Sequence, residues 1–223
     1  MATSDDGRPT EVQFRAFQQM YDYMNRTVFG GGLKPVILNF SRRAKTLGFF
    51  APERWQRDGG EKAHEISLNP AYLATRKPRD VASTLVHEMV HLWQETFGKP
   101  GRRGYHNAEW ATKMQSIGLM PSATAAPGGA RVGQSVSHYV VEGGPFDRAF
   151  KAMPREYLLP WQSWEPTTGS TTKGPPSKLK YTCPTCATNV WGKPGLRIRC
   201  ETCDTLLVAG GEAGSAANAR EAA

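Results

Sequence analysis

The stretch that decides the reading of this chain runs Asp80-Val81-Ala82-Ser83-Thr84-Leu85-Val86-His87-Glu88-Met89-Val90-His91-Leu92-Trp93-Gln94-Glu95-Thr96-Phe97. Pro78 precedes it, Asp80 is placed to cap it and Gly98 follows it, so a helix is expected from about 80 to 97. Val81, Leu85, Met89 and Leu92 mark its core face. Within it lies His87-Glu88-x-x-His91. Residues i and i+4 share a helical face, so both imidazoles can reach one zinc ion. Glu88 is one step round and is placed to serve water bound there as a general base. Roughly 0.006 such motifs are expected by chance in a chain with five histidines, so composition does not account for it.

A catalytic zinc takes three protein ligands and keeps one position open. After His91 the chain reads Leu-Trp-Gln-Glu-Thr-Phe-Gly, which lacks the Gly-x-x-His continuation of the metzincins. Glu109 lies downstream without a convincing glutamate-ligand pattern. His106 is the better third ligand: it follows the turn Gly101-Arg102-Arg103-Gly104 and precedes another helix. That helix follows Asn107, with Trp110, Met114 and Ile117 as its apolar stripe and Gly118 as its end.

Working outward, residues 10–28 read as an opening helix. Thr10 and Gln13 form a candidate capping box, and Phe17, Met20, Tyr21, Met24 and Val28 form one stripe. Strands are expected at 36–40, 46–50, 65–68 and 135–142. His64 reads as a solvated loop or strand residue. His138 and Tyr139, on the last of these strands, either donate to a developing oxyanion or simply serve the strand's packing. Phe146, Phe150, Tyr157, Trp161 and Trp164 are expected to pack back onto the core.

All four cysteines lie in Cys183-x2-Cys186-x13-Cys200-x2-Cys203. Two such knuckles make a tetrahedral thiolate site for a structural zinc. A thioredoxin-like redox role needs a βαβ context that this segment lacks. Residues 190–192 and 196–199, split by Lys193-Pro194-Gly195, read as a hairpin between the knuckles. Trp191, Lys193, Arg197 and Arg199 form a candidate single-stranded nucleic-acid surface, although Trp191 equally serves as the ribbon's one large core residue.

The 223 residues carry 28 Lys and Arg against 20 Asp and Glu, a net charge of +8. That balance favours a polyanionic partner such as DNA. The excess lies outside residues 181–223, where four cations meet four carboxylates. No apolar run approaches a membrane span, and Met1–Thr10 lacks a signal-peptide core, so no membrane association and a reducing, cytoplasmic location are expected.

Several motifs in order resemble the SprT family, the group that includes the Spartan proteases. They are Leu47-Gly48-Phe49-Phe50, Ile66-Ser67-Leu68-Asn69-Pro70, His87-Glu88-x-x-His91, Gly104-Tyr105-His106, Trp110 and the ribbon with Trp191-Gly192-Lys193. The resemblance implies a zincin-like metalloprotease with His87, His91 and His106 on zinc and Glu88 catalytic. It implies protein substrates, crosslinked to DNA in Spartan members. The resulting expectation is an α+β fold with a small mixed sheet: a protease domain at 8–164, a linker at 165–178, a zinc ribbon at 179–208 and a disordered tail at 209–223. The chain is expected to be monomeric, to hold two zinc ions, and to be cytoplasmic or nucleoid-associated. The rival reading is a non-catalytic nucleic-acid-binding or regulatory protein on the same scaffold.

Overall fold

The computed structural model describes residues 7–163 and 177–210. The interior of the expected linker, most of the expected tail and Trp164 fall outside the described residues. The chain divides into two compact units between Trp164 and Glu165. The chain as a whole is α+β: the first unit combines helices with small sheets, and the described residues of the second form strands and turns alone.

The first unit opens with α1, Pro9–Phe29. Phe17, Met20, Tyr21 and Met24 are fully buried along it. Gly30 takes the left-handed conformation (φ 66°) that ends the helix, and the N–H groups of Gly30 and Gly31 both turn back to Asn25 O. The capping box does not form. Pro9 occupies the first helical turn and shifts the start, so Arg8 is the N-cap residue and makes no side-chain cap. Gln13 is turned inward instead: its amide both donates to Trp161 O and accepts from Trp161 N.

β1 (Ile37–Phe40), β2 (Gly48–Gln56) and β3 (Lys62–Leu68) form one sheet in the order β1-β3-β2. β3 is central, parallel to β1 and antiparallel to β2. β2 is longer than its apolar start suggests, because an irregularity between Ala51 and Trp55 lets it continue with exposed residues. Ile66 and Leu68 turn into the core beneath the helices.

α2 runs Pro78–Phe97. Lys77, not Asp80, is its N-cap residue, because Pro78 already stands in the helix; Asp80 lies in the first turn, where its charge favours the positive helix end. Every residue from Val81 to Val90 is buried, so this helix passes through the centre of the unit. α3 (Ala108–Ser116) starts at Asn107, whose side-chain oxygen accepts from Trp110 N at 3.0 Å.

β4 (Leu119–Ser122) pairs antiparallel with β5 (Ser137–Val140) across the loop 123–136. β4 hides in a Gly-, Ala- and Pro-rich stretch whose composition suggests loop. α4 (Pro145–Ala152) buries Phe146 completely. Phe150 and Tyr157 pack on the core as expected, but Trp161 is half-exposed at 54% and uses its backbone on Gln13 instead.

The second unit contains β6 (Leu179–Thr182), β7 (Asn189–Gly192), β8 (Arg199–Cys200), β9 (Thr205–Leu206) and β10 (Val208–Ala209). The expected hairpin between 190–192 and 196–199 is absent. β7 pairs with β6 and β8 with β9, so each hairpin encloses one cysteine knuckle. Tyr181, Cys183 and Leu207 make the core. Tyr181 Oη donates to Lys193 O and accepts from Leu196 N, which pins the intervening turn without a strand.

Candidate metal centre

α2 presents His87 and His91 one turn apart, with ring centroids separated by 5.3 Å. His106 comes to them from the loop before α3. Its Nε2 lies 3.3 Å from His87 Nε2, and one ring nitrogen from each of the three residues lies within 4.8 Å of the others. Two nitrogens about 2.0–2.1 Å from a tetrahedral zinc are about 3.3–3.4 Å apart, so the His87–His106 spacing fits that ion. Trp110 forms the floor. Its ring stacks on His91 at 24° and meets His87 and His106 edge to face. Its Nε1 is buried with no hydrogen-bond partner among the described residues. The periodicity of α3 marked Trp110 as a core residue but not as the wall of a site.

The proton positions on His106 are set by its backing. His106 N–H and Gly133 N–H each donate to the other residue's carbonyl, and His106 Nδ1 also reaches Gly133 O at 3.2 Å. With Nδ1–H given to that carbonyl, Nε2 is left as a lone pair for a metal. Gly133 adopts φ 141°, a conformation open to glycine, and this is why the loop needs it. This loop thereby supports the third histidine.

A second support lies at the end of α2. The buried Gln94 donates to both Asn107 Oδ1 and Glu109 Oε2, each at 2.7 Å. Glu109 also accepts from Lys99 N, and Asn107 donates to Lys99 O. Glu109 is therefore a clamp residue and not a metal ligand. A Cβ on Gly98 would stand 2.5 Å from Glu109 Oε2, so only glycine lets the carboxylate close over the chain. Gln94→Leu strips this clamp of its shared donor. Zinc affinity at the histidines is expected to fall by up to about tenfold, because Asn107, the residue after His106, loses its hydrogen bond to α2. Stability is expected to drop by about 0.5–1.5 kcal/mol per hydrogen bond lost, and no more, because Asn107 Oδ1 keeps Trp110 N–H and Glu109 Oε2 keeps Lys99 N–H. Metal competition and melting curves check both; unchanged values in both would show that the clamp does not hold His106.

Glu88 is buried, and its carboxylate accepts from the backbone N–H of Phe50 on β2. Burial pushes its pKa up to about 8, against the smaller opposing pull of that N–H. Burial pushes the histidines down: His87 far down, His91 to about 3, His106 more modestly, and His138 to about 4 with help from the nearby Arg76 charge. All four rings are thus neutral near pH 7, the state a metal ligand needs.

The pH dependence of the metal-free chain follows. Depressed histidine values stabilise the fold above about pH 6.5, and that contribution is lost as pH falls toward 4 and 3. Glu88 acts oppositely: its contribution is full below about 4.5 and is lost as pH rises through 8. The melting temperature of the metal-free protein is expected to fall on acidification from pH 6.5. At pH 9, metal-free Glu88→Gln is expected to be more stable than wild type by a few kcal/mol, since the glutamine cannot ionise. Equal melting of the two at pH 9 would contradict the burial of an ionising Glu88.

His138 on β5 approaches from behind, its Nδ1 3.2 Å from His87 Nδ1. That places it behind the group of ring nitrogens and not in front of it. Tyr139, the next residue in the strand, points to the other face. His64 lies on β3, where its Nδ1 accepts from Glu53 N, and is not part of the group.

In the second unit, the four cysteine sulfurs lie within 4.8 Å of one another, and Cys186 and Cys200 Sγ are 3.7 Å apart. That is far beyond a disulfide, and close to the separation of about 3.8 Å between two sulfurs on a tetrahedral zinc. Trp191 is 62% exposed, so it is not the ribbon's core residue; it stands opposite Lys180, with Lys193 and Arg197 exposed nearby in sequence. Arg199 is paired with Asp204.

The SprT-like family model matches residues 17–129, just over half the chain, and spans His87, Glu88, His91, His106 and Trp110. The chain belongs to the SprT-like family. The search of curated proteins returned no match, and neither did the search of solved structures. In this SprT-like chain the matched segment stops before Gly133, His138 and the cysteines. The four-cysteine cluster is compatible with a C-terminal zinc ribbon. Among the described residues, no helix is long and apolar enough to cross a membrane.

Proposed function

We propose that this SprT-like protein is a zinc metalloendopeptidase with a zincin-type centre, acting on DNA-associated or DNA-crosslinked proteins. The observation that carries the reading is the convergence of three neutral imidazoles beside a buried glutamate on the same helix. His87, His91 and His106 would hold the ion. When bound, zinc polarises a carbonyl and lowers the pKa of water. Glu88 takes the proton from the attacking water and delivers it to the departing amine. Phe50 N–H orients the carboxylate for that role, and a cation bound at the adjacent histidines would favour the ionised, proton-accepting form of Glu88 over the neutral form that burial favours in the metal-free chain.

The finer assignments belong to this reading. They are a protease domain at 8–164, a linker at 165–178, a zinc-bound ribbon at 179–208, a tail at 209–223, two zinc ions, a monomer, and a cytoplasmic or nucleoid location. The net charge and the exposed Trp191 support DNA as the partner, since base stacking on an aromatic ring beside cations suits a single strand. The same surface favours the second reading, a nucleic-acid-binding protein without catalysis. Incubating the protein with a protein–DNA crosslink, with and without single-stranded DNA, separates them. The first reading expects zinc-dependent cleavage of the protein moiety. DNA binding with no cleavage under any of these conditions would leave the second.

A further inference from the structure

The proposed reaction uses three of the four clustered histidines and leaves His138 without a task. Its Nε2 lies 2.9 Å from Ser83 Oγ, and its Nδ1 3.2 Å from His87 Nδ1. The direction of each hydrogen bond follows from the far end. Ser83 has one hydroxyl hydrogen and gives it to Asp80 O at 3.0 Å, the usual back-bond of a helical serine. Only a lone pair remains for His138, so His138 carries its proton on Nε2 and donates. A neutral imidazole with Nε2–H has a bare Nδ1, which accepts. His87 must then carry its proton on Nδ1. Its Nε2, the atom 3.3 Å from His106 Nε2, is left bare and aimed into the group.

We propose that Ser83 and His138 form a positioning relay that fixes the metal-binding tautomer and ring orientation of His87. The inference rests on the reading of His87, His91 and His106 as metal ligands. A metal-ligating histidine ordinarily gives its second N–H to a carboxylate, carbonyl or water. His106 does this with Gly133 O, whereas His87 meets a second imidazole. That partner orients the ring without adding a negative charge beside the ion. The register of β5 creates the arrangement: His138 faces Pro121 on β4, which leaves its side chain free to turn to α2.

The test uses the full chain loaded with zinc, and a graded chelator competition with the ribbon site as internal control. His138→Leu is expected to lower zinc affinity at the histidines by about 10–100-fold. His138→Gln is expected to recover most of the loss, because its amide can accept from His87 and donate to Ser83. Ser83→Ala should show a smaller loss. A folded His138→Leu protein with wild-type affinity overturns the relay. Long-range proton–nitrogen correlation spectra of wild type read the tautomer directly and need no variant. His138 protonated at Nε2 and His87 at Nδ1 support the relay, and His138 protonated at Nδ1 overturns it. Zinc binding at the histidine site that survives His87→Ala, beyond the ion held by the cysteines, overturns the metal reading itself, and the relay with it.

Discussion

Glu88→Gln is expected to keep every bound zinc ion and lose cleavage by roughly 10²–10⁴-fold, the range that a positioned general base supplies. Glutamine preserves the shape of the side chain and can still accept from Phe50 N–H, but it cannot take a proton from water. The ligands are three imidazoles that Glu88 does not touch, so metal content should be unaffected. The measurement is peptide hydrolysis alongside metal analysis of the same sample. Retained cleavage with full zinc would remove Glu88 from the mechanism. Loss of zinc together with activity would make Glu88 a structural residue of the site.

The second large effect concerns the cysteines. Cys200→Ser is expected to release one zinc ion per chain and unfold residues 179–208, with the first unit intact. The reason is size: Tyr181, Cys183 and Leu207 are the buried residues of this core, far less apolar surface than a domain needs to fold alone. A structural zinc contributes about 10–16 kcal/mol in small modules of this kind. Heteronuclear spectra of the full chain report the outcome residue by residue. Dispersed ribbon resonances in the zinc-stripped variant would show that protein packing suffices.

That the candidate metal ligands come together was legible because their spacing is local. The i, i+4 spacing of His87 and His91 and the two cysteine knuckles each place donors together within a few residues. His106 was legible from the three-ligand requirement and the turn before it. What surrounds them was not. Gly133 supports His106 from 27 positions away, and His138 reaches His87 across 51, through the pairing of β4 with β5. No periodicity marks such partners. Composition does not single out the support either: Gly133 is one of several glycines in a Gly-, Ala- and Pro-rich stretch, and only its contact with His106 marks it. The capping errors at Thr10 and Asp80 share one cause. Pro9 and Pro78 each start their helix early, so residues with the right side chains stand one or more positions inside it. In the ribbon, the turn at 193–195 has the residues of a hairpin, but Tyr181 satisfies its backbone groups and the strands pair elsewhere.

The central claim is that His87, His91 and His106 hold one zinc ion with a position left open. Anomalous scattering at the zinc edge from crystals of the zinc-loaded protein tests it most directly. The expected map has a peak about 2.0–2.1 Å from a ring nitrogen of each of the three histidines, with water or substrate in the fourth position. No peak there, or a peak completed by a fourth protein side chain, would contradict the account.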